Sequence, residues 1–286
     1  MKKILLQLDS DEFASVFDTI AAYDSGVDQV LQYGGVMPGD VQDLVYGAIF
    51  TRGPEDLKNS AVFIGGSDVA TGEKMLKVAR KSFIGPLQVS VMLDANGCNT
   101  TAAAAVAKVL SAAELAGEKI VVLAGTGPVG IRAAALFAQE GGEVTLTSRS
   151  QERAAAAAAS IHERFGIQVG GAMAADEDAV RAVLEGATAV LCTGAAGSQL
   201  LPESIWVEHP TLRVLGDVNA VPPLGIEGIK VHWNGKEKHG KVIFGAIGIG
   251  GLKMKVHHAS VARLFEQNDL VLDAEEVYAT AKEIGG

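Results

Sequence analysis

Gly125-Thr126-Gly127-Pro128-Val129-Gly130 is the stretch whose residue types and spacing most directly imply chemistry. It follows the apolar run IVVLA and precedes an alanine-rich segment of helical composition, the strand–turn–helix context in which G-x-G-x-x-G binds a dinucleotide. The first glycine permits the turn, the second lets backbone amides approach a pyrophosphate, and the third lets the helix lie on the strand. The helix N-terminus then offers N–H groups to negative charge. About twenty residues on, where an NAD site usually carries Asp or Glu, stand Thr147, Ser148, Arg149 and Ser150. Hydroxyls and a guanidinium suit a 2′-phosphate, so the expected cofactor is NADP, with NAD bound more weakly. Gly194, Ala195 and Asn219, in loops after later strands, and Gly248, in a glycine-rich turn, complete the expected cofactor set.

A second polar cluster, Asp94, Asn96, Gly97, Asn99, Thr100 and Thr101, closes the apolar run LQVSVML. Lys253 and Lys255 follow the glycines of GIGG. His257 and His258 are adjacent but lack a further ligand set, so they read as helix surface and core, and no metal is expected. Cys98 and Cys192 stand far apart and read as space-filling residues.

These residues need elements to hold them. Residues 3–8 read as a strand, and a helix follows in which Phe13, Val16, Phe17 and Ile20 recur at helical spacing. VDQVLQY, AVFIGG and LQVSVML are further strands, alternating with helices near 41–49 and 73–83. An alanine-rich helix from Thr100 leads into the strand at Lys119. Strand and helix patterns then alternate through ERAAAAAASIHERF, IQVGGAM, DEDAVRAVLEG, ATAVLCTG and LRVLGDVNA, and a proline- and glycine-rich loop follows. VIF is a strand, the glycines from Gly245 to Gly251 form a turn, and a helix comes after it. AEEVYATAKEIG is a closing helix. Such alternation predicts an α/β protein with mostly parallel sheets. The expected division is a Rossmann-type doubly wound domain at 101–270 and a smaller α/β domain made from 1–100 with 271–286.

The 286 residues carry a formal charge of −10. That balance disfavours a general nucleic-acid binder, whose affinity comes from surplus Lys and Arg. The apolar start is cut short by Asp9, Asp11 and Glu12, so neither a signal peptide nor a membrane span is expected, and the location is expected to be cytoplasmic.

SVFD at 15–18, MLDANGCNTTAAA at 92–104, LAGTGPVG at 123–130, DVNAVPPLGI at 217–226 and FGAIGIGGLKMKVH at 244–257 together resemble the NADP-dependent methylene-tetrahydromethanopterin dehydrogenases of one-carbon-metabolising, methylotrophic bacteria. The resemblance implies oxidation of methylene-tetrahydromethanopterin, and also methylene-tetrahydrofolate, to the methenyl form. It implies a two-domain subunit with a cleft between the domains and a homo-oligomer, trimer or hexamer. One departure is visible: the family pattern follows its phosphate-binding Arg with Lys, where this chain has Ser150.

Removing hydride from an N–CH2–N carbon leaves a cation delocalised over two nitrogens, and no hydroxyl proton has to leave. Positioning, negative potential and exclusion of water are what such a site must supply. Asp94 and Asp18 are the candidates for that potential, with Lys253 completing the catalytic set. Phe17, Asn99, Thr100, Thr101 and Lys255 are the expected carrier-binding residues. Two alternatives use the same cofactor turn. A shikimate-type NADP-dependent alcohol dehydrogenase would need a base near the nicotinamide, and a non-catalytic NADP sensor would have no use for the polar blocks at 94–101 and 248–255.

Overall fold

The computed structural model describes residues 1–285. In chain order the elements begin β1 (Ile4–Asp9), α1 (Val16–Asp24), β2 (Gln29–Tyr33), α2 (Val41–Ile49), β3 (Ser60–Gly65), α3 (Val69–Lys81), β4 (Ser90–Leu93) and α4 (Cys98–Leu110). Then follow β5 (Lys119–Leu123), α5 (Pro128–Gln139), β6 (Glu143–Ser148), α6 (Gln151–Phe165), β7 (Gly170–Met173), α7 (Glu177–Leu184), β8 (Ala189–Cys192) and α8 (Glu203–Trp206). The last are β9 (Val214–Asp217), β10 (Asn234–Lys238), β11 (Lys241–Phe244), α9 (Ala246–Arg263), β12 (Val271–Leu272) and α10 (Ala274–Gly285).

The chain forms two compact units, Met1–Thr100 with Met254–Thr280, and Thr101–Lys253 with the residues from Ala281 onward. The sheet of the first unit is all parallel, in the order β12-β4-β3-β1-β2. Its central strand β3, SAVFIG, is buried at every position. A continuous apolar run is what a strand covered on both faces requires. Read from β2, the sheet has the doubly wound order in which the crevice for a ligand opens between β1 and β3, at their carboxyl ends.

The seven-stranded sheet of the second unit runs β10-β11-β9-β8-β5-β6-β7, parallel except for the β10–β11 hairpin. The six parallel strands follow the dinucleotide-binding order, with the switch point between β5 and β8. One side of the sheet packs Val121, Leu123, Val190, Leu215 and Ile243 against Trp206, Ile205 and Ile226.

Several elements differ from the sequence reading. Val271–Leu272, which the sequence does not mark as a strand, forms β12 and pairs with β4, and α9 from Met254 onward lies with the first unit, whereas the expected boundary put 101–270 in the cofactor domain. The hairpin strand β10, NGKEK, has no apolar alternation because it is an exposed edge. The glycines from 248 to 251 form no turn; they lie inside α9. A Cβ on Gly248 would run into the Trp233 carbonyl, and one on Gly245 into the carbonyls of Lys230 and Val231. The glycines there let the helix start lie backbone to backbone against 230–234. Helix α1 is inverted relative to a usual amphipathic helix: Val16 and Ile20 are exposed, as is Phe13 in the loop before it, and the small Ala21 and Ala22 are buried.

Candidate functional site

In the second unit the three glycines of the turn have different surroundings. A Cβ on Gly125 would stand 2.9 Å from the Val122 carbonyl and 2.9 Å from the Leu146 side chain. One on Gly130 would stand 2.5 Å from Gly125 Cα, so the helix and the turn touch through these two residues. Gly127 has no atom within 4 Å of the corresponding position. It is the N-cap of the 12-residue α5, with Pro128 in the first turn, so the next free N–H groups point outward from an open backbone. That is the fit a pyrophosphate needs. The left-handed position of the turn falls on Ala124 (φ 52°), not on a glycine. The first glycine therefore serves close packing more than turning.

The ends of β6, β5, β8 and β9, which are neighbours in the sheet, carry the remaining expected cofactor residues. Thr147 fastens the turn to β6: its Oγ1 accepts from Ala124 N (3.0 Å) and its carbonyl from Gly125 N (2.9 Å). Ser148 is buried, Arg149 is exposed, and Ser150 caps α6 by accepting from Arg153 N (3.4 Å). Thr126 and Val129 are half-buried around Gly127, and Ala195 is exposed beyond β8. Gly194 packs against Leu200, which lies 2.8 Å from its missing Cβ. Asn219 is engaged within its own loop, donating to the Pro223 carbonyl (3.0 Å) and accepting from Val221 N (2.9 Å). Gly248 is occupied by the Trp233 contact described above. Beneath these loops Asp217 is fully buried; burial raises its pKa, and N–H donors from Asn219, Ile226 and Gly225 oppose that rise. Burial, and then the Asp217 charge beside it, push the Cys192 thiol well above its ordinary range.

In the first unit, the loop after β1 is folded back by Asp9. Its two oxygens accept from Asp11 N (2.9 Å) and Ser15 N (2.9 Å). The buried Gln7 donates to the Ser15 carbonyl (3.0 Å) and accepts from Thr19 (2.6 Å), and Ser15 caps α1. These bonds set the first turn of α1, with Phe17 and Asp18, over the ends of β1 and β3. A Cβ on Gly65, the last residue of β3, would stand 3.4 Å from Asp18 Oδ2, 3.4 Å from Asp9 Oδ2 and 3.3 Å from the Phe63 ring. Asp18 is half-buried, and Phe17 is 49% exposed rather than core.

Asp94 is not open to a ligand. Oδ1 accepts from Asn99 N and Thr100 N (3.0 Å each), and Oδ2 accepts from the Thr100 hydroxyl (2.7 Å). The carboxylate caps the start of α4. Asn99 is likewise internal, donating to the Leu93 carbonyl (2.6 Å) and to Asp273 (2.9 Å), and Thr100 is fully buried. Thr101 is half-buried. Lys253 is half-buried and Lys255 exposed; both are helical, about 200° apart around α9, so they face different ways.

His257 was not anticipated as a site residue. It is fully buried with Nδ1 3.4 Å from Asp94 Oδ2, and neither ring nitrogen has a hydrogen-bond partner. Its ring meets Phe17 edge-on (centroids 6.0 Å) and Phe63 at a tilt (5.6 Å). The available signal was its place one helical turn beyond Lys253. Among the described residues no three His, Cys, Asp or Glu side chains come together as a metal site.

The strand order and the glycine turn define a Rossmann-type dinucleotide-binding protein with a second, flavodoxin-ordered α/β unit. A shikimate 5-dehydrogenase from Mycobacterium fortuitum shares this fold (TM-score 0.52, 16% identity, 98% of each chain). So does a quinate dehydrogenase from Corynebacterium glutamicum solved in complex with NAD (TM-score 0.51, 17% identity, 98% of this chain and 99% of that one). The family profile described as methylene-tetrahydromethanopterin dehydrogenase, N-terminal, matches residues 16–96. The bifunctional protein MdtA of Methylorubrum extorquens is 49% identical over 99% of both chains. The NAD(P)-dependent methylenetetrahydromethanopterin dehydrogenase of the same organism is 35% identical over all of this chain and 99% of its own. The chain belongs to the methylene-tetrahydromethanopterin dehydrogenase family. No helix among the described residues is long and apolar enough to cross a membrane.

Proposed function

We propose that the protein transfers hydride directly from methylene-tetrahydromethanopterin to NADP, giving the methenyl carrier, and that it also accepts methylene-tetrahydrofolate. The observation that carries this reading is the identity running through the whole chain to an NAD(P)-dependent methylenetetrahydromethanopterin dehydrogenase, joined to an intact and open Gly127 turn. When bound, the nicotinamide supplies the hydride acceptor. The chain's own residues bind and orient. The α5 N-terminus and Gly127 hold the pyrophosphate, with Thr126 and Val129 beside it. Arg149, with Ser148 and Ser150, receives the 2′-phosphate and selects NADP over NAD.

On the carrier side, the carboxylates of Asp9, Asp18 and Asp94 converge near the ends of β1, β3 and β4 and supply negative potential for the cation that hydride loss creates. No side chain has to take a proton. Phe17 offers a ring face, His257 backs it, and Lys253, Lys255 and Thr101 bind polar groups of the carrier. Asp94, Asn99 and Thr100 act by building this end of the unit, without touching the carrier. The working form is a cytoplasmic homo-oligomer, trimer or hexamer, serving one-carbon metabolism.

The test is steady-state absorbance at the NADPH band with each methylene carrier. Reduction of NADP with methylene-tetrahydromethanopterin is expected; absence of signal with both carriers refutes the reading.

A further inference from the structure

Helix α1 turns three apolar side chains outward. Val16, Ile20 and Tyr23 are 69%, 56% and 45% exposed, and their i, i+4, i+7 spacing makes one stripe, the pattern of a helix face that packs. The stripe borders a free sheet edge. Strand β2 ends its sheet beside β1, and because the Gln29 N–H bonds to the Lys3 carbonyl, the N–H of the next residue, Val30, points away from the sheet. It donates to the Tyr23 hydroxyl at 3.4 Å, and the Val30 carbonyl accepts from the Gln29 amide at 3.3 Å, long contacts that a neighbouring chain can replace. The strand, QVLQY, carries no charge, whereas an edge that must stay single usually carries Lys or Pro.

The Gln32 side chain reaches Thr19 of α1, so Leu31 and Tyr33 point to the other face of the sheet, where both are exposed. Met37 and Phe50, at the two ends of α2, are exposed as well. Together with the α1 stripe these side chains show on the order of 600–700 Å² to solvent, more than the apolar patch of a typical monomer and near the about 800 Å² per partner that a stable interface buries. The charges at the two ends of α2 say what covers this edge. Val36 N donates to the Asp9 carbonyl, so the start of α2, with exposed Asp40 and Asp43, stands at the carboxyl end of β1. Arg52 Nη2 donates to the Lys2 carbonyl, so the end of α2, with Arg52 and exposed Lys2, stands at the opposite end. A second copy turned about a two-fold axis perpendicular to the sheet runs its β2 antiparallel, and the acidic end of each copy then meets the basic end of the other.

We infer that two copies of this chain meet across this edge, β2 beside β2 and α1 beside α1, about a two-fold axis near Ile20 and Leu31. The Gln32–Thr19 bond (2.6 Å) and the Val30–Tyr23 bond set Ile20 level with Leu31, in the middle of both stripe and strand, so one axis serves both. The contact rests on the homo-oligomer proposed above and chooses among its forms: a hexamer contains two-fold axes and a trimer has none.

Light scattering on a sizing column, with the full chain, tests it. The wild type is expected as an even-numbered assembly, and Ile20→Asp and Leu31→Lys, both at exposed positions, should each halve its mass. Ile20→Cys should give a disulfide-linked pair under mild oxidation, because Ile20 meets its own copy at the axis. Met37→Cys, which meets the far end of the partner's α2, should not. Cys98 and Cys192 are buried and stay silent. These cysteine variants add no charge, so they decide the matter if a charge variant fails to fold. Unchanged mass in both charge variants, or equal cross-linking at positions 20 and 37, overturns the contact. A trimeric wild type overturns it and keeps the homo-oligomer; a monomer, whether or not it binds phosphatidylcholine vesicles, overturns both. Carrier oxidation is read separately on the same sample, and its absence leaves the assembly result standing.

Discussion

Replacing Gly127 and Gly130 separately by Ala should split binding from folding at the cofactor turn. At Gly130 the added methyl would lie 2.5 Å from Gly125 Cα and 2.7 Å from both its carbonyl carbon and oxygen. Backbone on backbone cannot yield by a rotamer change, so α5 must move off β5. Overpacking of this kind costs about 1–3 kcal/mol. At roughly 2–4 °C per kcal/mol for domains of this size, the apo protein should melt about 2–12 °C lower. At Gly127 the methyl meets nothing within 4 Å, and φ −81°, ψ 169° is open to Ala. The apo protein should then lose no more than about 1 kcal/mol, mostly from a poorer N-cap. On the proposed reading, the space that methyl takes is the space meant for the pyrophosphate.

If Gly127→Ala weakens NADP about 100-fold, the ligand's stabilisation at a concentration 100 times the wild-type Kd falls from about 2.7 to about 0.4 kcal/mol. Calorimetric melts with and without NADP read both effects. The reasoning fails if Gly127→Ala loses as much apo stability as Gly130→Ala, or if it keeps the full NADP-induced rise in Tm.

Arg149→Ala should raise KM for NADP about 10–100-fold, the span of a charge-assisted hydrogen bond, and leave KM for NAD nearly unchanged; equal effects on both would remove Arg149 from the 2′-phosphate. Lys253→Ala should lower kcat/KM for the methylene carrier about tenfold or more while NADP binding, measured by fluorescence titration, is kept; an unaltered carrier profile would remove Lys253 from the site. Cys98 and Cys192 are both buried, and burial raises the Cys192 thiol's pKa, so neither should react with a thiol reagent in the native protein and both should after denaturation. One rapid native equivalent would contradict this. Because burial raises the pKa of Asp217 in the folded state, its contribution to stability is greatest below the ordinary carboxylate value of 3.8 and is lost as pH rises through the raised one. The stability of the wild type relative to Asp217→Asn should therefore decline with rising pH in that window, and a rising difference would show that the three backbone donors outweigh burial.

The α/β class and the glycine turn are legible in the sequence because their signals are local. IVVLA-GTGPVG is a strand, a turn and a helix start written in consecutive residues, and the alternation of apolar runs with helical patterns fixed the α/β class. Elements that escaped the reading depend on partners distant in sequence. The two residues of β12 are a strand only because β4 lies beside them. The glycines of α9 look like a turn until the carbonyls of 230–234 explain their missing side chains. A half-exposed Phe17 at helical spacing is indistinguishable in sequence from a core residue.

The same distinction separates the polar residues of the first unit. Asp94 followed by Asn99 and Thr100 reads as a binding loop, because residues able to hold a ligand are also the residues able to cap a helix. What decides is where the hydrogen bonds go, and there they go inward: backbone donors of Asn99 and Thr100 fill one oxygen, and the Thr100 hydroxyl takes the other. His257 shows the reverse. A histidine pair with no neighbouring ligand set carries no metal signal, yet one of its rings ends up buried, beside Asp94 and against Phe17, with no hydrogen-bond partner at either nitrogen. The capping carboxylate thus helps build the wall that holds His257. The polar groups at the end of β4 are therefore turned inward, and Phe17 and Asp18 stand on the first turn of α1 beside the end of β3.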